Sequence, residues 1–205
     1  MAGGLTALLV TEEHASPTEV LGTVGRALQG GLAAVLVRRP HATAREVFDI
    51  TRQLRPATRK CGCKLLVSDR ADVALAADAD GVHLGQRSLP IAAVRRHLPT
   101  EMLVGRSTHD LDEATQQEEA GASYLFLGPI FATETHPDGT PLGLDHLREA
   151  VLRCTIPIIA IGGIDTRNAP GIVTTGAAGI AAIRAYSTAT APAETARSFR
   201  AAFAQ

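Results

Sequence analysis

Two apolar segments near the end of the chain finish in residue types from which proteins build phosphate sites. Gly162 and Gly163 end the run IPIIAIGG, and consecutive glycines let backbone N–H groups approach an anion closely. Arg184 lies at the end of the run GIAAIRA, where its guanidinium supplies a fixed positive charge suited to phosphate or carboxylate. These residue types predict a site for a phosphorylated small molecule. The alternative is a Gly-Gly turn with a surface arginine.

Charged residues also follow two earlier apolar segments. Arg38 and Arg39 come after AAVLV, and because side chains alternate along a strand, one should point toward a site and the other away, with an ordinary pair of arginines at the rim as the alternative. Ser68, Asp69 and Arg70 follow KLLV. Ser68 or Asp69 can accept backbone N–H groups as a helix N-cap. Alternatively, Asp69 can provide one oxygen ligand for Mg²⁺, which a lone carboxylate holds weakly unless substrate phosphates help.

The segment 127–143, LGPIFATETHPDGTPLG, is a long stretch without a strand or helix pattern. Such segments inside compact domains are usually functional or disordered. It contains a single histidine, His136, and a histidine titrates close to the pH at which proton transfer is needed. The other available imidazole is His109, which follows Arg106 and Ser107 after the fifth apolar run. His136 is therefore a candidate base, with a role as a residue that covers the site as the alternative.

Eight short apolar runs alternate with amphipathic, Ala-rich segments along the whole chain. Nearly continuous apolar runs are typical of parallel strands buried on both faces, and the segments between them space their apolar residues as helices do. This pattern predicts an α/β fold, a single (β/α)8 TIM barrel that forms one domain over residues 1–205, with an open doubly wound sheet as the alternative. His83, inside the fourth run, is expected to be a core histidine. The predicted strands are residues 5–11, 33–39, 64–69, 81–85, 102–107, 123–131, 156–163 and 179–185.

The composition argues against several classes of function. The chain has 205 residues, of which 20% are charged, and its formal net charge is −1. A nearly neutral chain without long Lys/Arg runs argues against a nucleic-acid footprint and against a polybasic membrane patch. The N-terminus MAGGLTALLVT has neither a basic segment nor a long apolar stretch, and the 3 cysteines, without zinc spacing, are expected to be reduced thiols. We therefore expect a cytoplasmic protein that binds neither nucleic acid nor membranes.

Five segments at the ends of the predicted strands resemble one family. DADGVHLGQ, VGRSTHDLDEA, LFLGPIFATET, PIIAIGGI and GAAGIAAIRA are similar, in order and spacing, to segments of the thiamine phosphate synthase/TenI superfamily. The resemblance implies a (β/α)8 barrel, usually a homodimer, that binds a thiazole phosphate. The residues that match the thiazole phosphate half of that site are Thr133, Thr135, Gly162, Gly163, Ile183 and Arg184, the last in place of the usual Ser.

The other half of the superfamily's site is altered in this chain. The synthase branch joins a hydroxymethylpyrimidine pyrophosphate to the thiazole phosphate, and its Gln-x-Arg-x-Lys pattern is here Leu36, Arg38 and Pro40. Ser88 stands where that branch has a second magnesium-binding Asp, and His136 stands where it has a loop Lys. Since a departing pyrophosphate needs cations to absorb negative charge, these losses favour the TenI branch. That branch aromatises a thiazole phosphate carboxylate tautomer and binds no pyrimidine.

We therefore expect a thiazole tautomerase that needs no cofactor. The TenI-type catalytic His follows the Gly that ends the sixth strand, and Pro129 occupies that position here, so the expected base is His136 or His109. The first alternative is a thiamine phosphate synthase that uses Mg²⁺ with Asp69 as a metal ligand. The second is a regulatory barrel that binds thiazole phosphate without catalysis. The residues expected to bind substrate are Arg38, Ser68, Arg70, Arg106, Ser107, Thr133 and Thr135.

Overall fold

The computed structural model describes residues 4–134 and 139–204, and within them eight parallel strands close into a barrel. Each strand pairs with the next one along the chain, and the last pairs with the first. The predicted (β/α)8 fold is therefore confirmed, and the alternative of an open sheet is excluded. The strands are β1 (Ala7–Val10), β2 (Ala34–Val37), β3 (Lys64–Ser68), β4 (Gly81–Leu84), β5 (Leu103–Thr108), β6 (Tyr124–Leu127), β7 (Ile158–Ile161) and β8 (Gly179–Ala182).

Helices follow the strands and cover the outside of the barrel. The first two begin with capping boxes, in which the hydroxyls of Ser16 and Thr43 accept from the third helical N–H and a glutamate returns a hydrogen bond. Among the described residues, no helix is both long enough and apolar enough to cross a membrane. The helices are α1 (Pro17–Leu28), α2 (Ala44–Lys60), α3 (Ala71–Ala76), α4 (Ile91–Arg95), α5 (Leu111–Glu119), α6 (Gly143–Arg153), α7 (Ala169–Val173), α8 (Arg184–Ser187) and α9 (Pro192–Ala202).

Successive side chains along each strand point alternately into the barrel and toward the helices. Leu36 and Tyr124 belong to the inward set, which packs as one cluster in the barrel interior. Val37 and Leu84 belong to the outward set, which packs with helix residues in a second cluster. Because apolar side chains fill the interior, a small-molecule site is expected at the carboxyl ends of the strands, where barrels of this kind bind their ligands.

Several strands end earlier than the sequence predicts; β6, predicted to continue to residue 131, ends at Leu127. β8 ends at Ala182, earlier than predicted, and Arg184 begins the short helix α8 instead of ending the strand. An apolar run does not distinguish the last residues of a strand from a short buried helix that follows it. Helix α2 contains Pro56 in its interior, and nearby the hydroxyl of the buried Thr58 donates to the carbonyl of Arg55 at 3.0 Å.

The closure of the barrel between β1 and β8 depends on a glycine. A Cβ atom at Gly179 would overlap the backbone carbonyl oxygen of Leu5, and it would also lie 3.0 Å from the Cα of Thr6. These are backbone atoms next to the paired strands, so they cannot move aside without disturbing the pairing of Ala7 with Ile180. The position therefore accepts only a hydrogen as its side chain.

We expect Gly179→Ala to destabilise the protein by about 1–3 kcal/mol, the usual cost of forcing an extra carbon into a packed site. Urea unfolding followed by circular dichroism measures this difference. Gly25→Ala is the matched control, because nothing lies within 4 Å of a Cβ at Gly25 and alanine favours the helix by about 1 kcal/mol. Equal unfolding free energies for the two variants would show that the close contact of Gly179 with Leu5 does not restrict this position to glycine.

Candidate functional site

The carboxylate of Asp69 lies at the carboxyl end of β3 and has three hydrogen-bond donors. Its backbone φ is +61°, a left-handed conformation that Asp tolerates better than most residues. Oδ1 accepts from the N–H of Gly85 at 3.0 Å and from the Ser88 hydroxyl, and Oδ2 accepts from the Ser68 hydroxyl at 3.0 Å. The side chain thus connects the ends of β3 and β4. The predicted N-cap role is wrong, since α3 has Arg70 as its N-cap without a side-chain bond.

These donors keep Asp69 ionised. Burial by itself raises the pKa of Asp69, but the hydrogen bonds from Ser88, Gly85 and Ser68 outweigh it and hold the pKa below its ordinary value. The carboxylate is therefore negative at neutral pH and fixed in one orientation at the barrel mouth.

A histidine in the barrel interior has both ring nitrogens hydrogen-bonded. His83 is 3% exposed, with Nε2 at 2.9 Å from the Oγ of Ser107 and Nδ1 at 3.1 Å from the hydroxyl of Tyr124. Its ring also contacts Phe126, with 4.0 Å between ring centroids. The expectation of a core histidine is confirmed. His83 in addition orients Ser107, one of the residues predicted to bind substrate.

Burial lowers the pKa of His83 to about 3, and the positive charge of Arg106 also lowers it, while Asp69 raises it. The imidazole is therefore neutral at physiological pH. A neutral imidazole has one donor nitrogen and one acceptor nitrogen, and two hydroxyl groups can satisfy both of them.

The two arginines after β2 point in different directions, as the alternation predicts. Arg38 continues the inward series, and its Nη1 lies 2.8 Å from Oε2 of Glu13, whose Oε1 lies 2.8 Å from Nε2 of His41. The hydrogen bond from Arg38 lowers the pKa of Glu13. Arg39 turns away and donates to the backbone carbonyl of Ala15.

Gly162 and Gly163 lie where the end of β7 meets the segment after β6. Their φ values, +97° and +64°, are in the left-handed region that favours glycine. A Cβ at Gly162 would lie 2.6 Å from the Cα of Pro129, and one at Gly163 would lie 2.8 Å from the Cβ of Phe131. The N–H of Phe131 donates to the carbonyl of Gly162 at 3.1 Å. The glycine pair therefore has a packing role, and its role at a phosphate stays a prediction.

The predicted phosphate-binding arginine meets a carboxylate at the mouth. Nη1 of Arg184 lies 2.6 Å from Oε1 of Glu134, and the Arg184 side chain is 50% exposed. Ile183 precedes it, directly after β8, and continues the inward series of that strand. Thr133 is half-buried next to Glu134. Positive charge is thus present on the side of the mouth formed by β8.

Three predicted residues have partners on nearby helices or turns. Both Nε and Nη2 of Arg70 donate to the carboxylate of Asp72, at 2.9 and 2.5 Å. Nδ1 of His109 lies 3.4 Å from Oε2 of Glu113, which also accepts from the His109 N–H at 2.8 Å. Arg106 points away from the barrel mouth and donates to carbonyls of the turn after β4, so its prediction as a substrate contact is corrected: alternation along β5 places its side chain on the outer face. Thr135 and His136, two further predicted site residues, lie outside the described residues.

Sequence reasoning missed three polar residues that contact the predicted ones. Glu13 follows β1, and a search of that strand's end for charged residues would have found it. In the sequence Ser88 shows only that a carboxylate is replaced, and its hydrogen bond to Asp69 becomes visible only in the fold. Tyr124 lies in an apolar run that gives no sign of its contact with His83, which depends on how the barrel closes.

Asp69 is the carboxylate that the described part of the chain places at the joined ends of β3 and β4. No group of three or more His, Cys, Asp or Glu residues within 4–134 and 139–204 could hold a metal by itself. The oxygens near Asp69 are the hydroxyls of Ser68 and Ser88. Since Mg²⁺ is usually bound through one or two carboxylates together with substrate phosphates, this donor set fits Mg²⁺ that arrives with a phosphorylated substrate.

A closed (β/α)8 barrel with an ionised carboxylate, arginines and a glycine pair at its strand ends is typical of enzymes that act on phosphorylated small molecules. A family model described as thiamine monophosphate synthase matches residues 7–186. The chain belongs to this family.

Similar proteins carry the name of one activity. The thiamine-phosphate synthase of Chlorobium luteolum is 43% identical over 194 residues, which cover 94% of this chain and 90% of the relative. The thiamine-phosphate synthase of Chloroflexus aurantiacus is 49% identical over 150 residues, or 73% of this chain and 69% of the relative. The solved structure of thiamine phosphate pyrophosphorylase from Pyrococcus furiosus has a TM-score of 0.90 at 36% identity and covers 98% of this chain and 96% of that chain.

These relatives correct the expected function. The superfamily is confirmed, but the expectation of a TenI-type thiazole tautomerase, an isomerase, is wrong, because the curated relatives are named thiamine-phosphate synthase and the similar solved structure is named thiamine phosphate pyrophosphorylase. That expectation depends on the carboxylate and cationic residues that are missing at the strand ends. It did not consider that Ser88, although not a carboxylate, still helps to fix the carboxylate of Asp69.

The buried His83 makes stability depend on pH. Because its folded pKa of about 3 lies below the ordinary value of 6.5, the unfolded chain binds more protons in this range. This contribution to stability is complete above about pH 6.5 and is lost as the pH falls toward 3. In His83→Gln, we expect the slope of unfolding free energy against pH between about 4 and 6 to decrease by up to about 1.4 kcal/mol per pH unit.

Urea unfolding at several pH values in this range measures the slope. His97→Gln is the control, because His97 is exposed at the surface and should leave the slope unchanged. An unchanged slope in His83→Gln would show that His83 does not remain neutral in the folded protein.

Proposed function

We propose that this protein is a thiamine-phosphate synthase, which joins hydroxymethylpyrimidine pyrophosphate to a thiazole phosphate with release of pyrophosphate. The observation that carries the proposal is the Asp69 carboxylate, held ionised by three donors at the ends of β3 and β4. The names of relatives at 43% and 49% identity support the same activity.

The pyrophosphate end of the site is assigned to β2–β5. Asp69, with the hydroxyls of Ser68 and Ser88 beside it, would hold Mg²⁺ together with the pyrophosphate. When bound, Mg²⁺ neutralises the negative charge that develops on a departing pyrophosphate. Arg38 supplies a permanent cation, and its hydrogen bond to Glu13 restricts the orientation of the guanidinium.

The neutral His83 prepares Ser107 to bind an anionic oxygen. We assign the proton of His83 to Nε2, because the buried Tyr124 hydroxyl is a suitable donor to Nδ1. Nε2–H then donates to the Oγ of Ser107, so that the Ser107 hydroxyl proton can be donated to a phosphate oxygen. A protonated His83 would need two acceptors instead, and its low pKa prevents this.

The thiazole phosphate end is assigned to β6–β8. Gly162 and Gly163 would allow the backbone to approach the phosphate, and Arg184 would donate to it. The phosphate then competes with Glu134 for the guanidinium of Arg184. Thr133, together with Thr135, remains the predicted contact of the thiazole.

The chain differs from the synthase pattern at two further positions. Leu36 is 2% exposed and packs in the barrel interior, so it offers no polar group. Pro40 is exposed and carries no charge. Arg87, exposed beside Ser88, and Arg184 are cations at other positions of the mouth. In the proposal these two arginines replace part of the missing positive charge.

The first test is the formation of thiamine phosphate from the pyrimidine pyrophosphate, thiazole phosphate and Mg²⁺. We expect Asp69→Asn to lower turnover by at least about 10²-fold, because it removes the charge that holds the metal while keeping the side-chain shape. Asn also tolerates the left-handed backbone at this position.

Asp78→Asn is the matched control. Asp78 also has a positive φ of +57°, but it follows α3 at the other end of the barrel and pairs with Arg59. This variant should retain wild-type turnover. If the wild-type protein binds thiazole phosphate but forms no product with Mg²⁺, the synthase proposal is wrong.

The second test concerns the phosphate of the thiazole. Arg184→Ala should weaken thiazole phosphate binding by about 1.5–3 kcal/mol, the usual range for hydrogen bonds to a charged group. Calorimetry on the protein without pyrimidine substrate measures this affinity. Arg153→Ala, which removes a similarly exposed arginine that is paired with Glu149 on α6, should leave the affinity unchanged. An equal affinity in both variants would remove Arg184 from the site.

A further inference from the structure

Arg106 is a buried cation whose guanidinium has no carboxylate partner in the described part of the chain. It is 8% exposed, and its Nε has no hydrogen-bond partner there. Nη1 donates to the carbonyl of Leu89 and Nη2 to the carbonyl of Gln86, both at 3.2 Å. A buried charge is costly unless hydrogen bonds compensate for its lost solvation, and the two carbonyls supply such bonds to Arg106.

The side chain of Arg106 lies outside the barrel interior. Arg106 pairs in register with Leu84, which packs in the outward cluster with the helices. The next residue, Ser107, points inward to His83. Since successive side chains alternate, Arg106 points toward the helices and not into the mouth. From there its guanidinium reaches the carbonyls of the turn after β4.

That turn, residues 85–89, provides two of the three donors to Asp69. We call it the Ser88 turn. The N–H of Gly85 and the hydroxyl of Ser88 both bind Oδ1 of Asp69. The turn itself buries little apolar surface, since Leu89 is 67% exposed and Gln86 is also exposed. Its position over β5 therefore depends strongly on polar contacts.

We propose that Arg106 is a positioning residue that holds the Ser88 turn through the carbonyls of Gln86 and Leu89 and thereby orients the carboxylate of Asp69. It acts on the phosphorylated substrate and its metal through Gly85 and Ser88, without touching either of them. A guanidinium suits this role because its planar fork can donate to two separate carbonyls at once, which an ammonium on a single stem does poorly. The kinetic part of this inference rests on the proposed synthase activity, and its structural part does not.

The structural test uses backbone amide hydrogen exchange of the ligand-free protein, followed by NMR. In Arg106→Met, the Gly85 amide should exchange about 10- to 100-fold faster, because the turn opens more often when its two anchors are lost. Strand amides such as those of Val82 and Val104 should keep their rates. Arg106→Lys should fall between Arg106→Met and the wild-type protein, since lysine retains the charge and can reach one carbonyl.

Arg95→Met is the matched control. Arg95 also joins separate segments, donating to the carbonyls of Met102 and Gly121 and to the Ser123 hydroxyl, but it does so before β5 and β6 rather than at the mouth. Its loss removes an arginine from a similar bracing position without contact to the Ser88 turn. The Gly85 amide should exchange at the wild-type rate in this variant.

The kinetic test measures turnover at increasing Mg²⁺. In Arg106→Met, the Mg²⁺ concentration for half-maximal rate should rise about 10- to 100-fold, the range seen when the partners of metal ligands are removed. At saturating Mg²⁺, kcat should stay within about 3-fold of wild type, because no group that contacts the substrate has changed. Arg95→Met should leave the Mg²⁺ requirement unchanged.

The inference is overturned if the Gly85 amide of Arg106→Met exchanges at the wild-type rate. It is also overturned if Arg95→Met accelerates exchange of the Gly85 amide as much as Arg106→Met does, or if Arg106→Lys keeps the wild-type exchange rate of that amide. If neither the wild-type protein nor any variant forms thiamine phosphate, the proposed function is wrong. Faster exchange of the Gly85 amide in the Arg106 variants alone would still support the positioning role. The two failures are therefore distinguishable.

Discussion

Alternation of side chains around a closed parallel barrel is the constraint on which the other features of this structure depend. Each strand sends every second side chain into the interior and the others toward the helices. This parity directs Arg38 inward and Arg39 away, and it separates Ser107 from Arg106 in the same way. Neighbouring residues of similar chemistry therefore have different roles, which their positions along the strand decide.

The same constraint explains why a polar network can exist in an apolar interior. His83, Ser107 and Tyr124 all belong to the inward series on neighbouring or nearby strands, so their polar atoms meet one another and leave the apolar side chains undisturbed. Burial then keeps the imidazole neutral, because no counter-ion close to it outweighs the loss of solvation. A neutral histidine fixes the direction of a hydroxyl proton without adding charge to the mouth.

The failure of the tautomerase expectation has a physical origin. Counting lost carboxylates and lysines treats each site residue as independent, whereas the remaining Asp69 gains its orientation from donors on a neighbouring strand end. A serine in place of a carboxylate can still fix the orientation of a neighbouring carboxylate. The presence of residue types at strand ends is therefore weaker evidence than the contacts between them.

The sequence by itself determined the eight strands, the barrel and the strand ends at which Asp69, Arg38 and the glycine pair lie, because apolar periodicity and strand-end position are local properties. It could not determine the partners of those residues. The hydroxyl of Tyr124 meets His83 across 41 positions of sequence, and Arg106 reaches the Ser88 turn through the pairing of β4 with β5. Only closure of the barrel brings such groups together, since their hydrogen bonds depend on register and on the direction of each side chain, which no local pattern encodes.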